Sequence, residues 1–197
     1  MEGYTDLAWP AVGMERSWWK NKEKAREVEI TDDLLDAVYA EADQILLDAL
    51  DIATATGYGV TDVRLMPIPT DGKLRNVASK TGKRAEFEVA QSPVLSAIVA
   101  RRQAIRADHV MPLSTPTGRP VTYNMLRSRW ESAREMAAEK HPEMAEAIRS
   151  MYLRDMRKRA SDLADSDESA SKLLQHSSVG LTRKHYRTRA TKLKAVR

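Results

Sequence analysis

Apolar positions define the first element of the chain. In "ITDDLLDAVYAEADQILLDALDIATATG", Leu34, Leu35, Val38, Ala42, Ile45, Leu46, Ala49 and Ala53 recur at helical spacing. Thr31 stands ahead of two aspartates as an N-cap, and Gly57 closes the run. The pattern predicts one long helix, or two in line, ending at Gly57. The period then shortens. "VRLMPI", "LRNVA" and "RAEFEV" are short, partly alternating runs separated by the turn sequences "PTDG" and "KTGK". They predict a small three-stranded antiparallel sheet with two hairpins. Beyond it, "SPVLSAIVARRQAIRA" and "TYNMLRSRWESAREMAAEK" return to helical spacing behind the N-cap candidates Ser92 and Thr122. An exposed loop, "PTGRPVT", is expected between them. From Pro142 onward, "EMAEAIRSMYLRDMRKRASDLA" and "ESASKLLQ" predict further short helices. The fold class is therefore α+β, mainly α-helical, with one small sheet near the middle.

Residues 1–30 lack a sustained period and mix Trp9, Trp18, Trp19, Pro10 and Gly13 with the charged run "KNKEKAREVE". They read as a linker or arm that docks through its aromatic side chains, ahead of one domain over 31–197. Trp130, like Trp18 and Trp19, is expected to be a core or docking residue.

Composition narrows the chemistry. The chain has 197 residues and no cysteine, which rules out disulfides, thiolate metal sites and cysteine nucleophiles and points to a cytoplasmic protein. No stretch has the apolar length of a signal peptide or membrane span. Charge is segregated along the chain. From Ser169 to Arg197 there are eight Lys or Arg and no acid, whereas the preceding residues hold 24 basic against 28 acidic side chains. A basic end of this kind is either a solvated surface or a contact for a polyanion such as nucleic acid.

Two boxes sharpen the choice. "RDMRKRA" places Arg154, Asp155, Met156, Arg157 and Ala160 in the form (H/K/R)-D-L-R-x-x-A, with Met for Leu. "LLQHSSVGLTRKHY" places Leu173, Leu174, His176, Ser177 and Ser178 ahead of Tyr186, ten residues after the histidine. With Lys80 in the hairpin turn "SKTGKR" upstream, this order resembles the catalytic domain of the tyrosine recombinases, the phage integrase family. The resemblance runs from about Ile30 to Tyr186. Gln175 stands where the family usually has glycine.

The resemblance implies cleavage and rejoining of double-stranded DNA through a 3′-phosphotyrosyl intermediate, with no metal or other cofactor. Tyr186 would be the nucleophile. Arg157 would hold a non-bridging phosphate oxygen, Arg154 would occupy the position where many members use histidine, and His176 would donate a hydrogen bond to the phosphate. Lys80 would protonate the leaving 5′-oxygen. Guanidinium groups suit the clamp because they stay charged and present a planar fork to two oxygens. Lys83, Arg84, Lys158, Arg159, Arg183 and Lys184 are the expected DNA contacts, and Tyr123 and Tyr152 are assigned to packing. The family acts as a tetramer on two duplexes, which implies a homotetramer on DNA.

The pattern departs from the family in two places. The first arginine of T-G-x-R-x-(S/G)-(E/D) falls on "TGYGVTD", where Thr56, Gly57 and Asp62 match and Gly59 replaces the arginine. Loss of one preorganised donor in such a site lowers rate by roughly a hundred- to a thousandfold, so a catalytically impaired remnant that only binds DNA is the alternative reading. The second departure is the N-terminal core-binding domain, of which "WPAVGMER" would be only the exit linker.

Overall fold

The structure is a computed structural model that describes residues 28–104 and 111–187. The expected arm over 1–30, with Trp9, Trp18 and Trp19, therefore lies almost wholly outside the described residues, as does the end of the helix predicted through residue 107.

The predicted long helix is two. Helix α1 (Asp32–Glu41) is capped by Thr31, whose hydroxyl accepts from Leu34 N at 3.4 Å. It ends at Ala42, which turns to an extended conformation, and Asp43 opens α2 (Gln44–Thr56) by accepting from Leu46 N at 2.9 Å. A capping carboxylate competes with continued helix, so the chain turns there. Helix α2 is the centre of the core: Leu46, Ala49, Leu50, Ile52 and Ala53 are all buried. It ends at Gly57, at φ 68°, where an added Cβ would lie 3.0 Å from Leu174 Cδ2 and 3.1 Å from Leu173 Cγ. Glycine is required here both for the left-handed backbone and for the close approach of the segment that leads to His176.

The three-stranded sheet is corrected to two strands among the described residues, β1 (Lys73–Val77) and β2 (Arg84–Glu88), paired antiparallel with Leu74 opposite Phe87. "VRLMPI" is instead the exit of a short helix, α3 (Val60–Val63), and the turn after it. The buried residues Val60, Val63 and Met66 are three apart, while Leu65 is exposed. That spacing covers one side of a helical turn, whereas a half-buried strand would bury every second residue.

The remaining helices are α4 (Pro93–Gln103), α5 (Tyr123–Lys140), α6 (Ala145–Ser150), α7 (Met156–Leu163), α8 (Asp167–Leu173) and α9 (Val179–His185). Ser92 and Thr122 cap α4 and α5 as the sequence predicts. Trp130 is buried on α5, which packs on α1 and α6. Helix α7 lies against α2, and α8 joins α7 to α9, so the two boxes approach the C-terminal end of α2. No helix among the described residues is long and apolar enough to cross a membrane.

Candidate active site

Two adjoining clefts open where α2 ends. One, of about 490 Å³, is lined by Lys80, Lys83, Arg157, His176 and Tyr186 among others. The other, of about 890 Å³, includes Arg154, Lys158 and His185 in its wall. Gly59, Lys80, Arg157, Leu181 and Tyr186 line both. The five side chains singled out in the sequence thus line these two adjoining clefts, His176 only the smaller and Arg154 only the larger, although Lys80 and Tyr186 lie more than a hundred residues apart.

Arg157 is fixed at the back of this opening. Its Nη1 donates to Gly57 O and its Nη2 to Leu174 O, both at 2.6 Å. The guanidinium therefore ties the end of α2 to the end of α8 while the side chain lines both clefts. The ring of Tyr186 lies with its centroid 5.8 Å from the Arg157 Cζ and 4.5 Å from the centroid of His176. Tyr186 is the residue that closes α9, with its N–H bonded to Thr182 O at 2.8 Å.

His176 has its Nδ1 2.8 Å from the hydroxyl of the buried Thr182. Burial, then the charges of Arg157, Lys83 and His185, lower its pKa from 6.5 to about 4. The imidazole is accordingly neutral at physiological pH. In the tautomer whose Nδ1 accepts from the Thr182 hydroxyl, the neutral ring carries its proton on Nε2 and is a hydrogen-bond donor there.

The residue before it, Gln175, stands at φ 55°. The left-handed conformation explains why glycine would be at home there. The glutamine gains a bond that glycine cannot make, from its Nε2 to the hydroxyl of Tyr58 at 3.0 Å. Tyr58 is itself buried and meets Phe87 of β2 edge-on. Lys83, from the same hairpin, donates to Gln175 O at 2.6 Å. These bonds hold the hairpin against the histidine loop. On the opposite side, Asp62 accepts from Ser79 N at 3.1 Å and fixes the turn that carries Lys80. Thr182 has no charge or spacing that marks such a role in sequence, whereas Asp62 is marked by its match to the family segment.

Arg154 belongs to a short 3₁₀ turn, Leu153–Asp155, in which the buried Asp155 accepts from Tyr152 N at 2.9 Å. Its guanidinium carbon lies 5.2 Å from the centroid of Tyr152, and that of Arg134 lies 5.8 Å from the same ring. Tyr152 and Tyr123, expected to pack, are instead 48% and 46% exposed. Tyr152 is a surface platform for guanidinium groups, which aromatic faces attract.

The expected DNA contacts separate into two groups. Arg159 is corrected: it is buried, with Nη1 bonded to Ile30 O at 3.0 Å and Nη2 paired with Asp32. A guanidinium spent on holding the start of α1 to α7 has no face for a phosphate. The α7 helix turns every fourth residue to one side, so Arg159 points inward two positions from the cleft-lining Arg157. Lys83 and Arg84, with Lys172, line a shallow basic groove of about 560 Å³ beside the cleft. Lys158 stands in the wall of the larger cleft, and Lys184 is exposed on α9. Arg183 is exposed but paired with Asp167 at 2.8 Å.

Gly59 leaves an opening in this constellation. It is the N-cap of α3 at φ −70°, and an added Cβ would meet nothing within 4 Å. The backbone does not require glycine there. Among the described residues, no group of three or more His, Asp or Glu side chains gathers to hold a metal ion.

No family model matches the sequence, and no curated protein sequence matches it. Solved structures do resemble its fold. A dimer of lambda integrase (75–356) bound to a COC′ core site aligns with a TM-score of 0.67 and 19% identity, covering 89% of this chain and 65% of that one. A lambda integrase tetramer bound to a Holliday junction aligns at 0.60 with 18% identity, covering 89% of this chain and 52% of that one. The lambda integrase catalytic core aligns at 0.56 with 19% identity, covering 77% of this chain and 91% of that one. The chain has the fold of that catalytic core, and it spans less than two thirds of the longer integrase chains.

Proposed function

We propose that this domain cleaves and rejoins double-stranded DNA as a tyrosine-type recombinase. The observation that carries the reading is the convergence of Tyr186, His176, Arg157, Lys80 and Arg154 on the adjoining clefts at the end of α2. The fold supports it, since the solved structures it resembles are integrases bound to core-site DNA and to a Holliday junction.

In this mechanism the hydroxyl oxygen of Tyr186 attacks the scissile phosphorus and loses its proton to solvent. A phosphotyrosyl bond forms to the 3′ side, the bond to the 5′-oxygen breaks, and Lys80 supplies the proton that the departing oxygen needs. Charge spreads over the phosphoryl oxygens as this happens, and Arg157 and the Nε2–H of His176 meet it as fixed donors. Arg157 costs little reorganisation because two carbonyls already hold it. Reversal of the same steps, with a 5′-hydroxyl from the partner strand as nucleophile, rejoins the DNA without any external energy source.

Gly59 limits the rate. The position that would supply a second guanidinium has no side chain, so the phosphate is held by one clamp fewer. The same observation motivates a second reading, in which the domain grips DNA without productive cleavage.

The test is a nicked suicide substrate bearing a candidate core site, scored for a covalent protein–DNA adduct. A slow adduct is expected from the natural sequence and none from Tyr186→Phe. Gly59→Arg, which the open backbone tolerates, is expected to raise the rate by about a hundredfold or more. An adduct seen only with Gly59→Arg favours the binding-only reading. Absence of adduct from both sequences, on DNA that each demonstrably binds, rejects the proposal.

A further inference from the structure

The residue after Tyr186 is held more firmly than the tyrosine itself. Arg187 spends three side-chain donors on its surroundings: Nε bonds Asp167 Oδ1 at 3.0 Å, Nη1 bonds Ser161 O at 2.7 Å, and Nη2 bonds Ala164 O at 3.1 Å. Asp167, in the first turn of α8, uses its other oxygen to accept from Arg183 Nε at 2.8 Å. One carboxylate thus grips the chain at two points four residues apart, Arg183 within α9 and Arg187 just beyond its end, on either side of Tyr186. The Arg187 and Asp167 side chains are only 15% and 19% exposed, so this pair is shielded from the salt screening that weakens surface pairs. Arg183, and then Arg187, hold the Asp167 carboxyl below the usual carboxylate range, so it stays ionised near neutrality.

None of the three clamp residues, Asp167, Arg183 and Arg187, lines either cleft. The clamp's action is on the position of the tyrosine, which in this state already rests on His176 and Arg157 of the same chain. We infer that Asp167 is a positioning residue: through Arg183 and Arg187 it keeps Tyr186 docked in its own subunit's cleft before DNA arrives. This rests on Tyr186 being the nucleophile, but the docking itself can be read without any cleavage.

Asp167→Asn removes the charge while Ser166 still caps α8. Amide hydrogen exchange of residues 179–187, measured on the free protein, is expected to speed up at least tenfold in this variant, with α2 unchanged. Single-turnover adduct formation at saturating DNA should fall at least tenfold while the DNA dissociation constant moves less than twofold, and Asp167→Glu should recover part of the rate. Arg187→Lys, which keeps the charge but loses the carbonyl bonds, serves the same purpose if Asp167→Asn does not fold. Unchanged exchange at 179–187 in a folded variant overturns the inference, as does faster exchange with an unchanged cleavage rate. If the natural sequence forms no adduct, the recombinase reading fails on that arm, and the exchange measurement alone decides whether the clamp docks the tyrosine.

Discussion

His176 shows how the surroundings of one side chain select its chemistry. A histidine at its ordinary pKa would be partly charged near neutrality. Here burial, then the electrostatic influence of Arg157, Lys83 and His185, lowers its pKa from 6.5 to about 4, so the ring is neutral near pH 7, with Nδ1 hydrogen-bonded to the Thr182 hydroxyl. The shift has a defined effect on stability. Between about pH 6.5 and pH 4 the unfolded chain takes up a proton that the native ring refuses, so stability declines as pH falls through that window and is complete above it. An NMR titration of the His176 ring should give a midpoint near 4, and His176→Gln should flatten the pH dependence of unfolding in the same window. A midpoint near the ordinary value would contradict the buried, cation-flanked setting. The ring was legible in the sequence through its ten-residue distance from Tyr186, but its charge state was not, because two of the flanking cations come from elsewhere in the chain. Gln175 makes a similar point: only the fold reveals that it adopts a glycine-like φ and holds Tyr58.

Elements were most legible where their ends carry caps. Thr31, Ser92 and Thr122 each accept the predicted helix N–H, and Gly57 ends α2 in the left-handed conformation. The expected third strand failed because a six-residue run is too short to separate a period of two from a period of three. Less legible still is what fixes α2 to α4. Asp48 is fully buried on α2 and lies 2.5 Å from Arg101 Nη2 and 3.1 Å from Arg102 Nη2 on α4, with Gln44 Nε2 at 2.8 Å from the same carboxylate. Arg102 is also buried, so removing the carboxylate strands a cation away from water. Asp48→Ala is expected to destabilise the domain by about 3–5 kcal/mol in denaturant unfolding. A loss well under 1 kcal/mol would mean that water reaches the arginines and the pair contributes little. In sequence Asp48 is one of several aspartates along an amphipathic helix, and nothing there distinguishes it.

At the scale of the whole molecule, the basic residues gather around the opening that holds Tyr186. Lys80, Arg154, Arg157 and Lys158 line the clefts, and Lys83, Arg84 and Lys172 extend them into the neighbouring groove. Of the carboxylates in these walls, Asp62 and Asp155 accept from backbone N–H groups and so hold the site's turns in place, and Glu86 in the groove is paired with Lys73 and Arg75. On the proposed function, such a surface displaces several counterions from DNA. Affinity should fall by about a hundredfold or more between 50 and 200 mM salt, with Lys184→Ala and Arg84→Ala each reducing the slope by about one. A nearly salt-independent affinity would contradict the cleft as a DNA surface. Arg159→Ala is set apart from these, since it should act on the seating of α1.

The sequence by itself determined the helical class, the helix caps, the short hairpin with its lysine, and the two boxes whose order resembles that of the tyrosine recombinases. These are local properties, written in spacing over a few to ten residues. Only the tertiary structure decided which cations face the cleft and which serve the scaffold, because a helix presents neighbouring residues to different sides: Arg157 to the site, Arg159 to α1. It also decided that Tyr186 rests in its own cleft with Asp167 gripping the helix that carries it, and that Gly59 leaves room for a side chain. Those outcomes depend on distances between segments far apart in the chain, which packing alone fixes.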